Sequence, residues 1–373
     1  MNTLTCAEIL RPATTMCNIL GTNPFTYKNG RLVYSKIRLL QVFLCFATSI
    51  LCAIFYFSDY KKGRSNLPKL VSFVLMLRSF GWNCTMLLVL MLTVFKFSRL
   101  TEVAANVKQV DSDLISLGQK DRIHKLGLQH RKILIFLLVL EQLVFNVLFD
   151  LHTMWNSNFS RPFFIGAFTY PRVACTTSYV AFIVYTIIIQ KRFEIVNELL
   201  DACVKNGFSK SLINQLIYLH KILCKTSKDL NSIFSLELLM LFGTCFLVTL
   251  WDLHSAMHGL LLEQSRWSVF VVIAKNVCYN VFDLFYLSKR CADLCCEANF
   301  TKTLLLKIQP NISHEDDRNF VIASTLKLMN NKLEITAAGL FGIDYSLLFS
   351  ISGAIFSYLF IILQLDLGSK RVV

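Results

Sequence analysis

Apolar residues fill seven stretches of this chain, at about 37–57, 70–95, 133–151, 165–189, 233–253, 268–287 and 345–366. Each suits a helix of about 20 residues, the length that crosses a bilayer core. Between them the pattern changes. Past the second stretch, apolar side chains recur in steps of three and four at Leu100, Val103, Val107, Val110, Leu114 and Leu117. The same spacing joins Phe193, Val196, Leu200 and Cys203. It returns in Leu212, Leu216, Leu219, Leu223, Thr226 and Leu230, and again in Ile322, Leu326, Met329 and Leu333. Each set is one stripe of an amphipathic helix whose other faces are polar. The polar stretch 309–319 precedes the last stripe, with Asp316 or Asp317 placed to favour a helix start. The pattern predicts an all-α membrane protein with seven transmembrane helices and long helical extensions on one side. It leaves open whether the stripes pack within one subunit or between subunits.

Composition agrees: 54% of the 373 residues are hydrophobic and 17% charged. A net charge of +14 would suggest nucleic acid in a soluble protein, but its placement reads as topology instead. Of 38 lysines and arginines, 26 fall in the N-terminus and the even-numbered loops, and 8 in the odd-numbered loops and C-terminus. Bases collect on the cytoplasmic side, so the N-terminus is expected inside and the C-terminus outside. Residues 1–36 hold no signal-peptide core, because Pro12, Pro24 and Arg31 interrupt it, and the first span is expected to act as a signal anchor. None of the 13 cysteines lies in the expected outer loops 58–69, 152–164 or 254–267, so no disulfide framework is implied. The one outer sequon, at Asn158, is a candidate for glycosylation.

An ionisable group inside a span costs roughly 2.5–3.5 kcal/mol and calls for a reason. Arg78, Asp150, Arg172, Asp252 and Lys275 fall in the middle or outer parts of their spans, with Trp82, Trp155, Tyr170, Trp251 and Tyr279 near in sequence. Aromatic walls with a few convergent polar groups describe a small-molecule pocket open to the outside. Internal pairing, such as Arg78 with Glu141, is the alternative. Glu141, Glu237 and Asp283 sit deeper and read as structural. His254 and His258 share a helix face but lack a third ligand. Cys291, Cys295 and Cys296 suit small apolar packing better than a metal site or palmitoylation. No phosphate loop, HExxH or Ser/His/Asp arrangement supports catalysis, and no cofactor is implied.

The last stretch, SLLFSISGAIFSYLFIILQLDLG, carries Ser346, Ser350, Gly353, Ser357, Phe360 or Ile361 and Gln364 at helical spacing. This is a small-and-polar stripe on an oily cylinder. Small residues also serve tight helix packing in membranes. Bulky apolar side chains beside an amide near the outer end tilt the reading towards a gated pore. One chain offers one such helix, so a pore requires a symmetric oligomer.

Here the residues resemble the signature of insect gustatory receptors, Thr-Tyr, five hydrophobics and Gln-Phe. This chain reads Ser357-Tyr358-Leu359-Phe360-Ile361-Ile362-Leu363-Gln364-Leu365, led in by GLFGID at 339–344. Serine replaces threonine, and Leu365 stands where the signature has phenylalanine. The resemblance implies a tetrameric ligand-gated, non-selective cation channel in the plasma membrane of a sensory neuron, detecting a small-molecule tastant. It implies this division: 1–36 cytoplasmic; 37–287 a six-helix bundle with the pocket; 288–344 a cytoplasmic anchor; 345–366 the pore helix; 367–373 an extracellular tail. Gln364 would lie in the gate, with Ile361 or Leu365 as hydrophobic neighbours. An odorant receptor subunit would share the architecture. A G-protein-coupled receptor fits poorly on orientation, on outer cysteines and on the missing Asn-Pro-x-x-Tyr. A secondary transporter would show repeat symmetry, which is not visible.

Overall fold

The computed structural model describes residues 15, 25–28, 31–63, 69–138, 169–206, 209–261, 267–308 and 314–370. Within them the chain is mostly helical: α1 (Lys36–Gly63), α2 (Lys69–Ser116), α3 (Lys120–Leu138), α4 (Tyr170–Asn206), α5 (Lys210–Leu261), α6 (Trp267–Ile308), α7 (Glu315–Asn330) and α8 (Tyr345–Lys370). Two antiparallel hairpins join them, β1 (Phe25–Lys28) with β2 (Arg31–Tyr34) and β3 (Thr336–Ala337) with β4 (Phe341–Gly342). By length and hydropathy, three described helical segments can cross a bilayer: Tyr170–Cys203, Lys210–Met257 and Tyr345–Gln364. Leu39–Phe55 and Phe80–Leu92 are shorter apolar helical stretches. The third expected span lies outside the described residues beyond 138.

The second expected loop is not a loop. Helix α2 runs unbroken for 48 residues, roughly 70 Å at 1.5 Å per residue. It ends where Gly118 takes a φ of +83°, a conformation that suits glycine. The Gln119 N–H reaches the Leu114 carbonyl at 3.1 Å and the Gly118 N–H reaches Ile115 at 3.0 Å. This crossed pair is a Schellman stop, and α3 turns back within three residues.

The extensions form a shared apolar core. Val103, Val107, Val110 and Leu114 of α2, Phe193, Val196 and Leu200 of α4, and Leu216, Leu219, Leu223 and Leu230 of α5 are buried together. Several polar groups inside this core are paired across helices. Arg192 of α4 grips Asp111 of α2 with Nε at 2.9 Å and Nη2 at 3.0 Å, and its Nη1 donates to the Ile188 carbonyl. Asn197 donates to the Glu297 carbonyl at 2.9 Å and accepts from Thr301 at 2.7 Å, tying α4 to α6. His220 of α5 bonds the Ala298 carbonyl at 2.9 Å. A chain of such bonds in a low-dielectric core fixes helix register.

The stripe on α7 turned out differently. Its buried residues are Val321 and Thr325, whereas Leu326 and Met329 are more than half exposed. Leu333 is buried, but beyond the helix end. Spacing revealed an apolar face; the core took a neighbouring one. The three acidic residues Glu315, Asp316 and Asp317 do open α7, where the helix dipole favours them.

Chain entry into α8 is held tightly. Asn299 of α6 brackets the Leu333 backbone, donating at 3.0 Å and accepting at 3.1 Å. Asn231 of α5 accepts from the Thr336 N–H at 3.3 Å. Then Asp344 caps α8, its Oδ1 accepting from the Ser346 N–H at 2.9 Å and the Leu347 N–H at 3.1 Å.

Candidate functional site

Four helices bring part of the expected pocket together. Arg172 lies in the first turn of α4, where a cation opposes the helix dipole and so needs local support. Its guanidinium stacks over the Tyr279 ring of α6, with its central carbon 3.9 Å from the centroid, and faces the Trp82 ring of α2 at 5.8 Å. Its Nη1 donates to Asn276 Oδ1 at 3.4 Å. The residue is only 7% exposed. Such cation–π contacts help most when desolvated.

Beneath Arg172, Tyr179 donates to Asp283 Oδ1 at 3.4 Å and Asn280 donates to Thr249 at 3.2 Å. Trp251, Asp252 and Lys275 are also buried on α5 and α6, and Tyr170 is half-buried at the start of α4. Asp150, Trp155 and Asn158 fall outside the described residues, as does Glu141. Arg78 lies on α2, and its side chain is likewise outside. Sequence reasoning missed Asn276. The signal was present, since Asn276, Tyr279 or Asn280, and Asp283 recur at three to four residues along an apolar helix.

One level further along, Glu237 of α5 pairs with Lys96 of α2 and accepts from Ser178 of α4 at 3.0 Å. Lys96 also sits 4.2 Å from the Phe234 ring centroid. Lys96 follows the second apolar stretch, 70–95, and so falls among the 26 bases of the expected cytoplasmic side, yet it is buried because α2 continues as a helix. Thr85, Val89, Cys175, Tyr179 and Phe234 line a cavity of about 10 Å³ beside this pair. That admits roughly one water molecule.

The other expected site is α8. None of its best apolar window is buried within the subunit. Ser350, Gly353, Ser357, Phe360, Ile361 and Gln364 are all exposed, while Leu365 is in the helix with its side chain outside the described set. The helix leans on the bundle through aromatic edges. Tyr358 meets Phe246 of α5 at 6.1 Å, and Tyr345 meets Phe285 of α6 at 6.2 Å.

The remaining candidates sort by surroundings. Among the described residues, no group of three His, Cys, Asp or Glu side chains is placed to hold a metal. His254 packs 5.5 Å from the Trp251 ring, and the His258 side chain is outside the described set. Cys291 is buried, Cys295 half-buried and Cys296 exposed. Burial pushes the Cys295 thiol up to about 11 and Cys224 up to about 12, which keeps both as neutral packing groups.

Long apolar helices on a polar-stitched core, with α8 left uncovered, define a polytopic helical membrane protein. The 7tm chemosensory receptor profile matches residues 10–369, and the chain belongs to that family. A Drosophila melanogaster protein named gustatory receptor 28a is 23% identical, over 96% of this chain and 91% of its own length. The gustatory receptor for bitter taste 66a, also of Drosophila melanogaster, is 29% identical over 43% of this chain and 31% of its own. The matched segment thus spans about a third of that second relative. The fold is similar to that of the insect olfactory receptor OR5 from Machilis hrabei, with a TM-score of 0.61, 15% identity, and coverage of 95% of this chain and 97% of that one. The same receptor in complex with eugenol aligns with a TM-score of 0.60.

Proposed function

We propose that this chain is a gustatory receptor: a ligand-gated, non-selective cation channel that detects a small tastant outside the cell and depolarises a sensory neuron. In this reading the seven spans thread the plasma membrane with the N-terminus inside. Four subunits each contribute α8 to a central pore, with Gln364 at the gate beside Ile361 and Leu365. The bundle around Arg172, Trp82 and Tyr279 receives the ligand from outside. One observation carries the proposal: α8 is apolar enough to span a bilayer, yet its window is 0% buried by its own subunit, and its small-and-polar stripe is exposed. A helix of that kind calls for neighbours of its own sort around an axis. Whole-chain similarity to a relative named as a gustatory receptor favours taste over smell.

The test is electrical. Cells expressing the chain, alone and with partner subunits, are given a tastant panel with G-protein signalling blocked. Ligand-evoked cation current that persists is expected, and Gln364→Lys should change its selectivity or open probability at unchanged surface expression. Current lost with the G protein, or unaltered by changes at Gln364, overturns the channel or the pore assignment respectively. A response confined to volatile ligands would favour the odorant-subunit reading.

A further inference from the structure

Arg172 presents an unusual combination. It is deeply buried, yet of its guanidinium nitrogens only Nη1 has a hydrogen-bond partner among the described residues; Nε and Nη2 have none. Nε–H and Nη2–H lie side by side on one edge of the guanidinium plane, pointing the same way. That edge is the fork that grips a carboxylate through two parallel hydrogen bonds. Tyr279 and Trp82 occupy the sides, at 3.9 and 5.8 Å, and Asn276 holds the opposite nitrogen. Both ring contacts and the Asn276 bond help to hold the guanidinium in place. The fork edge is buried and has no hydrogen-bond partner among the described residues.

Leaving two buried donors unsatisfied costs free energy, so natural structures rarely keep such groups without a use. Nearby carboxylates do not fill the fork. Asp283 feels the charge of Arg172, but it is engaged by the Tyr179 and Tyr279 hydroxyls and makes no hydrogen bond to the Nε or Nη2 of Arg172. Lys275 and Asp252 are also buried, on α6 and α5. The first turn of α4 adds its N-terminal backbone dipoles on the same side as Arg172.

We infer that the ligand of this pocket bears a carboxylate, held bidentate by Nε and Nη2 of Arg172, while Trp82 and Tyr279 support the guanidinium. This names a ligand class for the pocket and rests on the proposed function only for the pocket's purpose, not for binding itself.

The test separates binding from conduction. Purified full-length protein in detergent is melted with a series of monocarboxylates, from acetate and octanoate to benzoate, each beside its methyl ester and amide. At neutral pH these acids are ionised, so acid and ester differ chiefly at the group the fork would grip. At least one acid is expected to raise the melting temperature and to bind at least about tenfold more tightly than its ester. In Arg172→Lys, which keeps the charge but loses the fork, that preference should collapse. The acid–ester comparison on the unaltered protein needs no variant, so a misfolded substitution does not spare the idea. Equal binding of acid and ester, no effect of any acid at about 10 mM, or Arg172-dependent binding of vicinal diols instead, would each overturn it. Gated current with no acid binding sinks this inference alone; acid binding without current sinks the channel and leaves the fork standing.

Discussion

Helices α4 and α8 are both long and apolar enough to span a membrane, yet the best window of α4 is 89% buried within the subunit and that of α8 is not buried at all. Helix α4 lies at the centre, packed by α2, α3, α5 and α6. Its membrane portion carries Arg172, Thr176 and Tyr179 inward, and its extension carries Arg192 and Asn197. Helix α8 touches α5 and α6 along one side and turns Phe349, 85% exposed, and Phe356 outward. Hydropathy does not separate the two. What differs is the distribution of groups that need partners: α4 brings charges and amides that bond to other helices, such as Arg192 to Asp111 and Asn197 to Glu297, and α8 brings small hydroxyls that bond back to their own helix. Ser350 Oγ donates to the Ser346 carbonyl at 3.0 Å, and Ser357 Oγ to Gly353 at 2.9 Å. A self-satisfied helix remains free to face lipid, water or another copy of itself.

The comparison breaks most readily at Arg192. Changing Arg192 or Asp111 to alanine strands a buried charge and is expected to cost about 3–5 kcal/mol of subunit stability. Arg192→Met with Asp111→Leu should recover most of it, as thermal unfolding of the purified protein would show. If the single changes are harmless, the Arg192–Asp111 pair does not hold the core around α4. Next, Phe182→Ala in α4, fully buried, should cost about 3–5 kcal/mol. The same truncation at Phe349 in α8 should stay within about 0.5 kcal/mol for the isolated subunit, and weaken assembly measured by size-exclusion chromatography. Equal losses at the two sites would erase the distinction.

Acid sharpens the picture further. His130 of α3 is buried against the extension of α4, with neither ring nitrogen hydrogen-bonded among the described residues. Burial chiefly, then the charges of Arg192 and Lys191, lowers its pKa to about 3. The fold therefore holds the neutral ring, while the unfolded chain takes a proton below about pH 6.5. Stability is complete above that pH and should fall by about 1.4 kcal/mol per unit as pH drops towards the folded value. His130→Phe should flatten this slope in melting curves between pH of about 6 and 4.5, and an unchanged slope would place the acid sensitivity elsewhere. The smallest effect is expected at the turn leading into α8. Ala338 has a φ of +50° there, beside Gly339 at +73°. Ala338→Gly should relieve left-handed strain and stabilise by about 0.5–1 kcal/mol, less the entropy glycine brings to the unfolded chain.

Much of this was visible in spacing. The stripes on α2, α4 and α5 all proved to be core, because three heavily apolar faces on neighbouring extensions have few other ways to leave water. The stripe on α7 did not, and Leu326 and Met329 point away from the fold. A period says that a helix has an apolar side; it does not say what covers it. The stop at Gly118 was legible in hindsight from the glycine alone, as was the β1–β2 hairpin from Asn29-Gly30 between two strand-like runs. For the site, the sequence offered Arg172, Trp82 and Tyr279 as members of one set, and the fold did bring them into contact. It also brought Asn276, and it removed Lys96 from the loop charges to a pair with Glu237.

By itself, then, the chain's order of residues determined which segments are helical, which are oily and where helices stop, since each depends on neighbours within one or two turns. It also determined the polar stripe of α8, which is a property of a single cylinder. Only the tertiary structure decided which of two similar apolar helices is central and which is left bare. Only it set Arg172 between two rings with its fork unfilled. Those outcomes depend on groups 90 to 107 residues apart meeting across α2, α4 and α6, and no local period encodes such a meeting.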